Sequence, residues 1–258
     1  MESLKIIKVG GNIIDNNKAL EIFLSQFSSI KGPKVLVHGG GKLATKLAKD
    51  MNVPVNMVDG RRITDADTLD IITMVYAGKI NKNIVAKLQA YKCNAIGFTG
   101  ADGNTIVSKK RPVKKIDYGF VGDVKKVNTK AISVLLKNDI TPVFCAITHD
   151  TNGNLLNTNA DTIASELAIE LAKTYETELI YCFEKDGVLM SVDDDESVID
   201  FMDTNTYQTL KIRGTFADGM LPKLENCFYA LKRGVFKVII GNPTVISNRE
   251  QKFTTLFL

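Results

Sequence analysis

The chain has 258 residues, of which 45% are hydrophobic and 24% are charged, which suits one large domain or two closely joined lobes and excludes a disordered chain. Its net charge of +4 is spread along the sequence apart from one basic cluster in a probable loop, formed by Lys109, Lys110, Arg111, Lys114 and Lys115, so we expect no nucleic-acid partner. No apolar run approaches the roughly 20 residues of a membrane helix and no secretory signal opens the chain, so we expect a cytoplasmic protein with no membrane partner.

Short β-branched runs alternate with amphipathic stretches along the chain. In chain order they predict strand 4–9, helix 18–28, strand 34–38, helix 42–51, two helices within 65–90, strand 94–98, helix 129–137, strand 141–146, helix 161–175, strand 178–183, helix 220–233 and strand 237–241. Turns rich in Gly and Asn at 100–104, 118–123 and 150–153 predict hairpins. The alternation predicts an α/β fold, with helices on both faces of a mostly parallel sheet.

Cysteines and histidines are scarce and scattered. The four cysteines lie apart among apolar neighbours, so we expect neither a disulfide nor a zinc site: Cys93, Cys145, Cys182 and Cys227. With only His38 and His149 present, the chemistry is expected from lysines, carboxylates and backbone amides. We interpret the acidic run at 193–196 as a solvated loop and predict no metal site formed by the protein.

Two glycine-rich turns follow the first two predicted strands, KVGGN at 8–12 and HGGGK at 38–42. Glycine lets the backbone approach a ligand closely, and the amides at a helix start favour an anion such as phosphate or carboxylate. Two such turns in one sheet favour a ligand site over a pair of plain tight turns.

Three known glycine motifs can be tested against the second turn. A Walker A loop fails, because Leu43 stands where Ser or Thr is needed. An esterase oxyanion motif is rejected because the chain has no G-x-S-x-G. Gly39-x-Gly41-x-x-Ala44, followed by Asp59, fits a dinucleotide fingerprint loosely, so an oxidoreductase stays open as an alternative.

Several charged and polar residues are candidate ligand contacts. Lys8 ends an apolar strand, where a lysine is costly unless it meets a charged partner. Arg61 and Arg62 form an arginine pair suited to gripping a carboxylate. The stretch 157–161 (NTNAD) is sufficiently explained by helix caps, which the residues alone favour, and Lys223 alone says little.

In order, these segments resemble the amino acid kinase family and, within it, the acetylglutamate kinases. The segments are IIKVGGNII at 6–14, LVHGGGK at 36–42, GRRITDADTLDIITMVYAGKINKNIV at 60–85, GFVGDV at 119–124, NTNADTIASELA at 157–168 and ADGMLPK at 217–223. The resemblance runs nearly end to end. It is carried most specifically by T-D-x-x-T-x-D-x-I-x-M-V-x-x-G-x-x-N-K.

The resemblance implies an αβα sandwich with two lobes, 1–175 for the acylated amino acid and for dimerisation and 176–258 for the nucleotide. It also implies a cytoplasmic homodimer that transfers phosphate from ATP, with Mg²⁺, to the side-chain carboxylate of an N-acylated glutamate in arginine biosynthesis. Because only seven residues precede Lys8, we expect no arginine feedback, which in this family goes with an added N-terminal helix.

The resemblance also assigns roles by position. Lys8 and Lys223 would contact the transferred phosphoryl group, and Asp161 would hold these lysines. Substrate contacts are implied for Gly40, Gly41, Arg62, Asn157 and Asn159. Phosphate or nucleotide contacts are implied for Gly10, Gly11, Glu184, Gly187, Asp218 and Gly219.

Two departures from the family pattern matter. FEKDGV at 183–188 replaces the usual Thr/Ser-Asp-Val before Gly-Val, which alters the expected nucleotide contacts. Arg61 stands where relatives carry an apolar residue near the acetyl methyl, so it either faces solvent or a neighbouring carboxylate, or binds a second anion such as the end of an N-succinyl group. A catalytically silent sensor of an acylated amino acid is the remaining alternative.

Overall fold

A computed structural model of the chain describes residues 1–258 apart from 59, 192, 217–219 and 249. The strands are β1 (Ser3–Val9), β2 (Lys34–His38), β3 (Met57–Val58), β4 (Arg61–Arg62), β5 (Ala95–Phe98), β6 (Ile106–Lys110), β7 (Gly122–Val127), β8 (Thr141–Cys145), β9 (Ile147–His149), β10 (Leu155–Asn157), β11 (Glu176–Cys182), β12 (Phe201–Met202), β13 (Lys237–Gly241) and β14 (Thr254–Leu256).

The helices are α1 (Gly11–Ile14), α2 (Asn17–Ser29), α3 (Gly41–Asp50), α4 (Ala66–Thr73), α5 (Asn81–Ala90), α6 (Thr129–Lys137), α7 (Ala160–Leu171), α8 (Thr204–Ile212) and α9 (Met220–Lys232). A π-helical segment, Met74–Ile80, joins α4 to α5, and short 3-10 turns occupy Asp102–Asn104 and Pro243–Ile246. Among the described helices, none is both long and apolar enough to cross a membrane.

The chain forms two compact units, Met1–Val35 with Ala164–Leu258, and Leu36–Ile163. These bounds differ from the expected lobes 1–175 and 176–258, because the first strand and α2 group with the C-terminal part of the chain. The assignment of the acylated amino acid and the nucleotide to separate lobes stays a prediction.

In the first unit the strand order is β12-β14-β13-β11-β1. Neighbours β1 and β11, and β11 and β13, run parallel, whereas β14 is antiparallel to β13. Every residue of β11 and β13 after the first is buried, as expected for strands covered on both faces.

In the second unit β8 lies between β2 and β5, and all three strands are parallel. Every residue of β2 and β8 is buried, so both faces of these strands are covered. A smaller sheet has the order β10-β9-β6-β7. The predicted turn at 150–153 joins antiparallel β9 and β10, which confirms that hairpin.

The predicted alternation and the mostly parallel sheet are confirmed. The helix predicted over 161–175 ends earlier, at Leu171. Among the elements missed are the helix α8 and the strands β12 and β14. The two strands have only two or three residues, too few to show a period of two.

Candidate substrate and phosphate sites

The second glycine turn is formed by close packing against the π-helical segment. Gly40 has φ +155°, and a Cβ there would collide with Cδ1 of Ile80 and lie 3.1 Å from Cδ1 of Tyr76. Only glycine fits this position. Because residue 40 carries no side chain, nothing caps the start of α3 from that position, and the first amides of the helix suit an anionic ligand.

A buried pair fixes the strand end that leads into this turn. The Nδ1 atom of His38 lies 2.8 Å from the Gly39 carbonyl, and its Nε2 atom lies 3.0 Å from Nδ2 of Asn81. Asn81 also donates to the Val143 carbonyl at 2.9 Å. A neutral ring that donates through Nδ1 and accepts through Nε2 satisfies both contacts. Burial lowers the pKa of His38 to about 4, against the opposing contact with the Gly39 carbonyl.

Arg62 connects the hairpin of β3 and β4 to α3. Its side chain is 9% exposed, and Nη2 donates to the Gly41 carbonyl at 3.1 Å and to Oγ1 of Thr45 at 2.7 Å. Its Nη1 atom is buried and has no hydrogen-bond partner among the described residues. A buried guanidinium nitrogen without an acceptor is costly, so this atom marks a position for an anionic ligand.

Thr64 links Arg62 to Asn157. Nδ2 of Asn157 donates to Oγ1 of Thr64 at 3.0 Å, and Thr64 in turn contacts the Arg62 carbonyl at 3.4 Å. The structure therefore brings together four of the predicted substrate residues, through direct bonds or sequence adjacency: Gly40, Gly41, Arg62 and Asn157.

Asn159 and Asp161 lie at the start of α7. Oδ1 of Asn159 accepts from the backbone amides of Asp161 at 2.7 Å and Thr162 at 3.2 Å. The oxygen of Asn159 therefore serves as a helix cap, and its amide nitrogen is the part that can face a substrate. Asp161 lies in the first turn of the helix.

Arg61 is not part of this group. In the two-residue strand β4, Arg61 is exposed while Arg62 is buried, as expected when successive side chains point to opposite faces. Arg61 instead lines a cavity within the second unit.

The first unit holds the other glycine turn and both lysines. Lys8 is half-buried near the end of β1, and the Gly10 amide donates to the Cys182 carbonyl at 2.8 Å, just before α1 begins at Gly11. The Lys223 ammonium lies 4.7 Å from the centroid of the Phe183 ring. The departure at 183 thus gives one of the predicted phosphate-contacting lysines an aromatic neighbour.

The described residues that were predicted to contact the nucleotide differ in their exposure to solvent. Gly187 is buried, and a Cβ there would lie 2.6 Å from Oγ1 of Thr254, so its smallness serves packing of the turn. Glu184 is exposed. Asp218 and Gly219 lie outside the described residues.

In the described part of the chain, few side chains are placed to bind a metal ion or to react as a thiol. There, no three His, Cys, Asp or Glu side chains converge as a metal site would require. The run at 193–196 is exposed, as the solvated-loop interpretation predicts. All four cysteines are buried thiols outside any disulfide, and burial raises the pKa of Cys145 to about 12.

Comparison with known proteins gives the family. The model of the family described as "Amino acid kinase family" matches residues 3–242. The chain belongs to this family. The chain is 58% identical over 241 residues to the acetylglutamate kinase of Cytophaga hutchinsonii, covering 93% of this chain and 91% of that protein. The acetylglutamate kinase of Parabacteroides distasonis is 53% identical, with coverage of 95% and 96%. The crystal structure of smu.665 from Streptococcus mutans UA159 superposes with a TM-score of 0.78 at 25% identity, covering 98% of each chain.

Sequence reasoning missed four residues of this amino acid kinase that hold the predicted contacts in place. They are His38, Thr45, Thr64 and Asn81. Two signals were present, because His38 opens the HGGGK turn and Asn81 lies in the N-K pair that ends the most specific motif. Neither signal indicated which partner the side chain would have.

Proposed function

We propose that the chain transfers the γ-phosphoryl group of ATP to the side-chain carboxylate of an N-acylated glutamate, a step of arginine biosynthesis. Relatives that match 93–95% of this chain at 53–58% identity bear the name acetylglutamate kinase. The observation that carries the proposal is Arg62, buried and anchored to the glycine turn, with one guanidinium nitrogen lacking an acceptor.

The α-carboxylate of the substrate fits this position. Arg62 would donate to this carboxylate through Nη1. The amides at the start of α3 would direct their partial positive charges towards the same carboxylate, and Asn157 would donate a further hydrogen bond to it. Asn159 is assigned a contact through its amide nitrogen. An arginine fixed by two existing bonds loses little further freedom on binding.

The acceptor needs no general base, because a carboxylate is already ionised at neutral pH. A carboxylate oxygen forms the new bond to the γ-phosphorus, the bond between that phosphorus and the β,γ-bridging oxygen breaks, and ADP leaves with the electron pair. His38 is unsuited to proton transfer, since both ring nitrogens are engaged and its pKa is lowered to about 4. The product is an acyl phosphate.

Charge neutralisation is the main catalytic need when two anions meet. We assign it to Lys8 and Lys223, with Asp161 orienting these lysines and the Gly10 and Gly11 turn donating amides. Glu184, Gly187, Asp218 and Gly219 are assigned to the nucleotide by family resemblance. We propose Mg²⁺ only as the partner of ATP and assign it no protein ligand.

We further propose that the enzyme is a cytoplasmic homodimer. The two other functions that the sequence left open, a silent sensor and a dinucleotide oxidoreductase, gain no support from the relatives. The relatives from Cytophaga hutchinsonii and Parabacteroides distasonis both carry the name acetylglutamate kinase.

A hydroxamate assay tests the function. The protein is incubated with ATP, Mg²⁺ and N-acetylglutamate or N-succinylglutamate in hydroxylamine, with free glutamate as the control for N-acylation. We expect a hydroxamate from an N-acylated substrate, and a loss of most kcat in Lys8→Ala and Lys223→Ala. A protein that binds these compounds without turnover would be a sensor, and near-full kcat in either variant would refute the role of that lysine.

A further inference from the structure

A cavity of about 500 Å³ in the second unit carries an unusual concentration of positive charge. It is lined by Arg61, Arg111, Pro112, Lys114, Lys115, Ile116, Tyr118 and Asp123. Four of these eight side chains are cationic and one is anionic. A concave surface lined by charge of one sign concentrates counter-ions, so the cavity suits an anion.

The single carboxylate of the cavity is already engaged. Asp123 Oδ1 accepts from Nε of Arg111 at 3.1 Å and from Nη2 of Arg111 at 2.7 Å. Within the described ranges, the side chains of Arg61, Lys114 and Lys115 lie within ion-pair distance of no carboxylate. Asp65, next along the chain, uses its carboxylate to cap α4 through the Thr68 amide at 2.8 Å. Among the described residues, these three cations therefore remain for a ligand.

The wall of this cavity is fixed directly to the proposed substrate site. The Thr64 amide donates to the Tyr118 carbonyl at 2.9 Å, and the Phe120 amide donates to the Thr64 carbonyl at 2.7 Å. Between them, Gly119 has φ +70° and lies so close to Thr64 that a Cβ would collide with its carbonyl oxygen. The Asn157 amide in turn donates to the Phe120 carbonyl at 2.8 Å. One rigid backbone thus carries both the cavity wall and the residues assigned to the α-carboxylate.

We infer that this cavity binds a second carboxylate, carried at the far end of the substrate's N-acyl chain. The inference rests on the proposed function and names its substrate class: an N-acylglutamate whose acyl group comes from a short dicarboxylic acid, with N-succinylglutamate as the compound to test. Arg61, Lys114 and Lys115 are its specificity residues. A neutral acetyl group offers these three cations no partner.

The contact is made equally before and during phosphoryl transfer, because the acyl carboxylate lies away from the reacting atoms. It therefore lowers KM and leaves kcat nearly unchanged. Since Lys114 and Lys115 are exposed, the attraction is also screened by salt.

The experiment compares kcat and KM for N-succinylglutamate and N-acetylglutamate in wild type, Arg61→Gln and the double variant Lys114→Gln/Lys115→Gln. Lys126→Gln is the matched control, because Lys126 is an exposed lysine of the same unit outside the cavity. We expect wild type to prefer the succinyl compound. Both cavity variants should raise its KM about 10-fold or more relative to that of N-acetylglutamate, whereas the control keeps the wild-type ratio.

Each remaining outcome is decisive. Two results would show that the cavity is only a solvated basic surface: wild type phosphorylates N-acetylglutamate as well as or better than N-succinylglutamate, or the cavity variants change both KM values equally. Either result would make the inference wrong and leave the proposed function standing. If neither compound is phosphorylated, the proposed function itself fails. A succinyl preference that does not weaken between 50 mM and 500 mM KCl would contradict the role of the exposed lysines.

Discussion

Arg62 shows how a single side chain can indicate a ligand. Two of its contacts, to the Gly41 carbonyl and to Thr45, hold the guanidinium in place, while Nη1 is buried without an acceptor among the described residues. The sequence could predict the arginine, since R-R followed a glycine turn. It could not predict which of the two arginines would be buried, because β4 has only two residues and shows no pattern.

Substitution of Arg62 should weaken substrate binding strongly. A hydrogen bond to a charged group contributes about 1.5–3 kcal/mol, so Arg62→Met should raise KM for the N-acylglutamate about 10- to 100-fold. Arg62→Lys keeps the charge without the planar fork and should recover only part of the loss. Steady-state kinetics with the control Thr45→Val, which removes only one anchor, should show a smaller rise. An unchanged KM in Arg62→Met would contradict the assignment.

His38 should titrate far below an ordinary histidine. Burial lowers its pKa to about 4, so between the unfolded value near 6.5 and the folded value the unfolded state binds more protons, and stability falls as pH falls. Protonation of His38 in the unfolded state should alone lower the free energy of unfolding by about 2 kcal/mol as the pH falls from 7 to 5. The ring signals of His38 and His149 can be followed by NMR, and urea unfolding measured at both pH values. A His38 midpoint near 6.5 would refute this packing.

The π-helical segment is the element that shapes the substrate turn. The sequence predicted two helices over 65–90, and α4 and α5 confirm them, but the wider turn between them was not predicted. It brings Tyr76 and Ile80, four residues apart, against Gly40. A π-helical turn has no hydrophobic period that distinguishes it within a helical run, so the sequence carried no signal for it. Wide turns of this kind often occur at functional sites.

The variant Gly40→Ala tests the close packing of Gly40 against Tyr76 and Ile80. The substitution combines a strained φ with a collision against Ile80, so we expect a loss of at least about 3 kcal/mol in unfolding free energy and of most activity. Gly32→Ala is the matched control, since Gly32 has φ +79° with no atom within 4 Å of the added Cβ, and should cost about 1–2 kcal/mol. Equal losses would show that backbone strain alone matters and that the π-helical segment does not shape the turn.

The order of strands and helices along the whole chain could be predicted, because buried strands and amphipathic helices carry clear hydrophobic patterns. The helix α8 could not, although Asp203 caps it through the Thr206 amide at 2.7 Å, because its apolar pattern is weak. The candidate site was predicted by residue type, whereas its supporting contacts, such as Asn81 with His38, join positions 43 residues apart. Such pairs depend on tertiary packing and leave no local pattern.

The proposed homodimer can be tested at the edge strand β5. Ile96 on this strand is 39% exposed, and β5 is the last strand beside β8 in its described sheet. Edge strands with exposed apolar side chains favour pairing with another chain. Light scattering should give about twice the 28.4 kDa of one chain, and Ile96→Glu should lower that mass, whereas Val134→Glu, at an exposed position on α6, should not. A monomeric or hexameric wild type would contradict the proposal.

In the proposed reaction, a carboxylate oxygen of an N-acylated glutamate attacks the γ-phosphorus of ATP, and an isotope label follows this oxygen directly. The measurement uses substrate labelled with ¹⁸O in its side-chain carboxylate, with unlabelled ATP and water, and traps the product with hydroxylamine. Hydroxylamine attacks the acyl carbon, so the phosphate released should carry one ¹⁸O atom, visible as a shift of its ³¹P NMR signal. Consumption of ATP with only unlabelled phosphate, or no consumption at all with any N-acylglutamate, would show that this transfer does not occur.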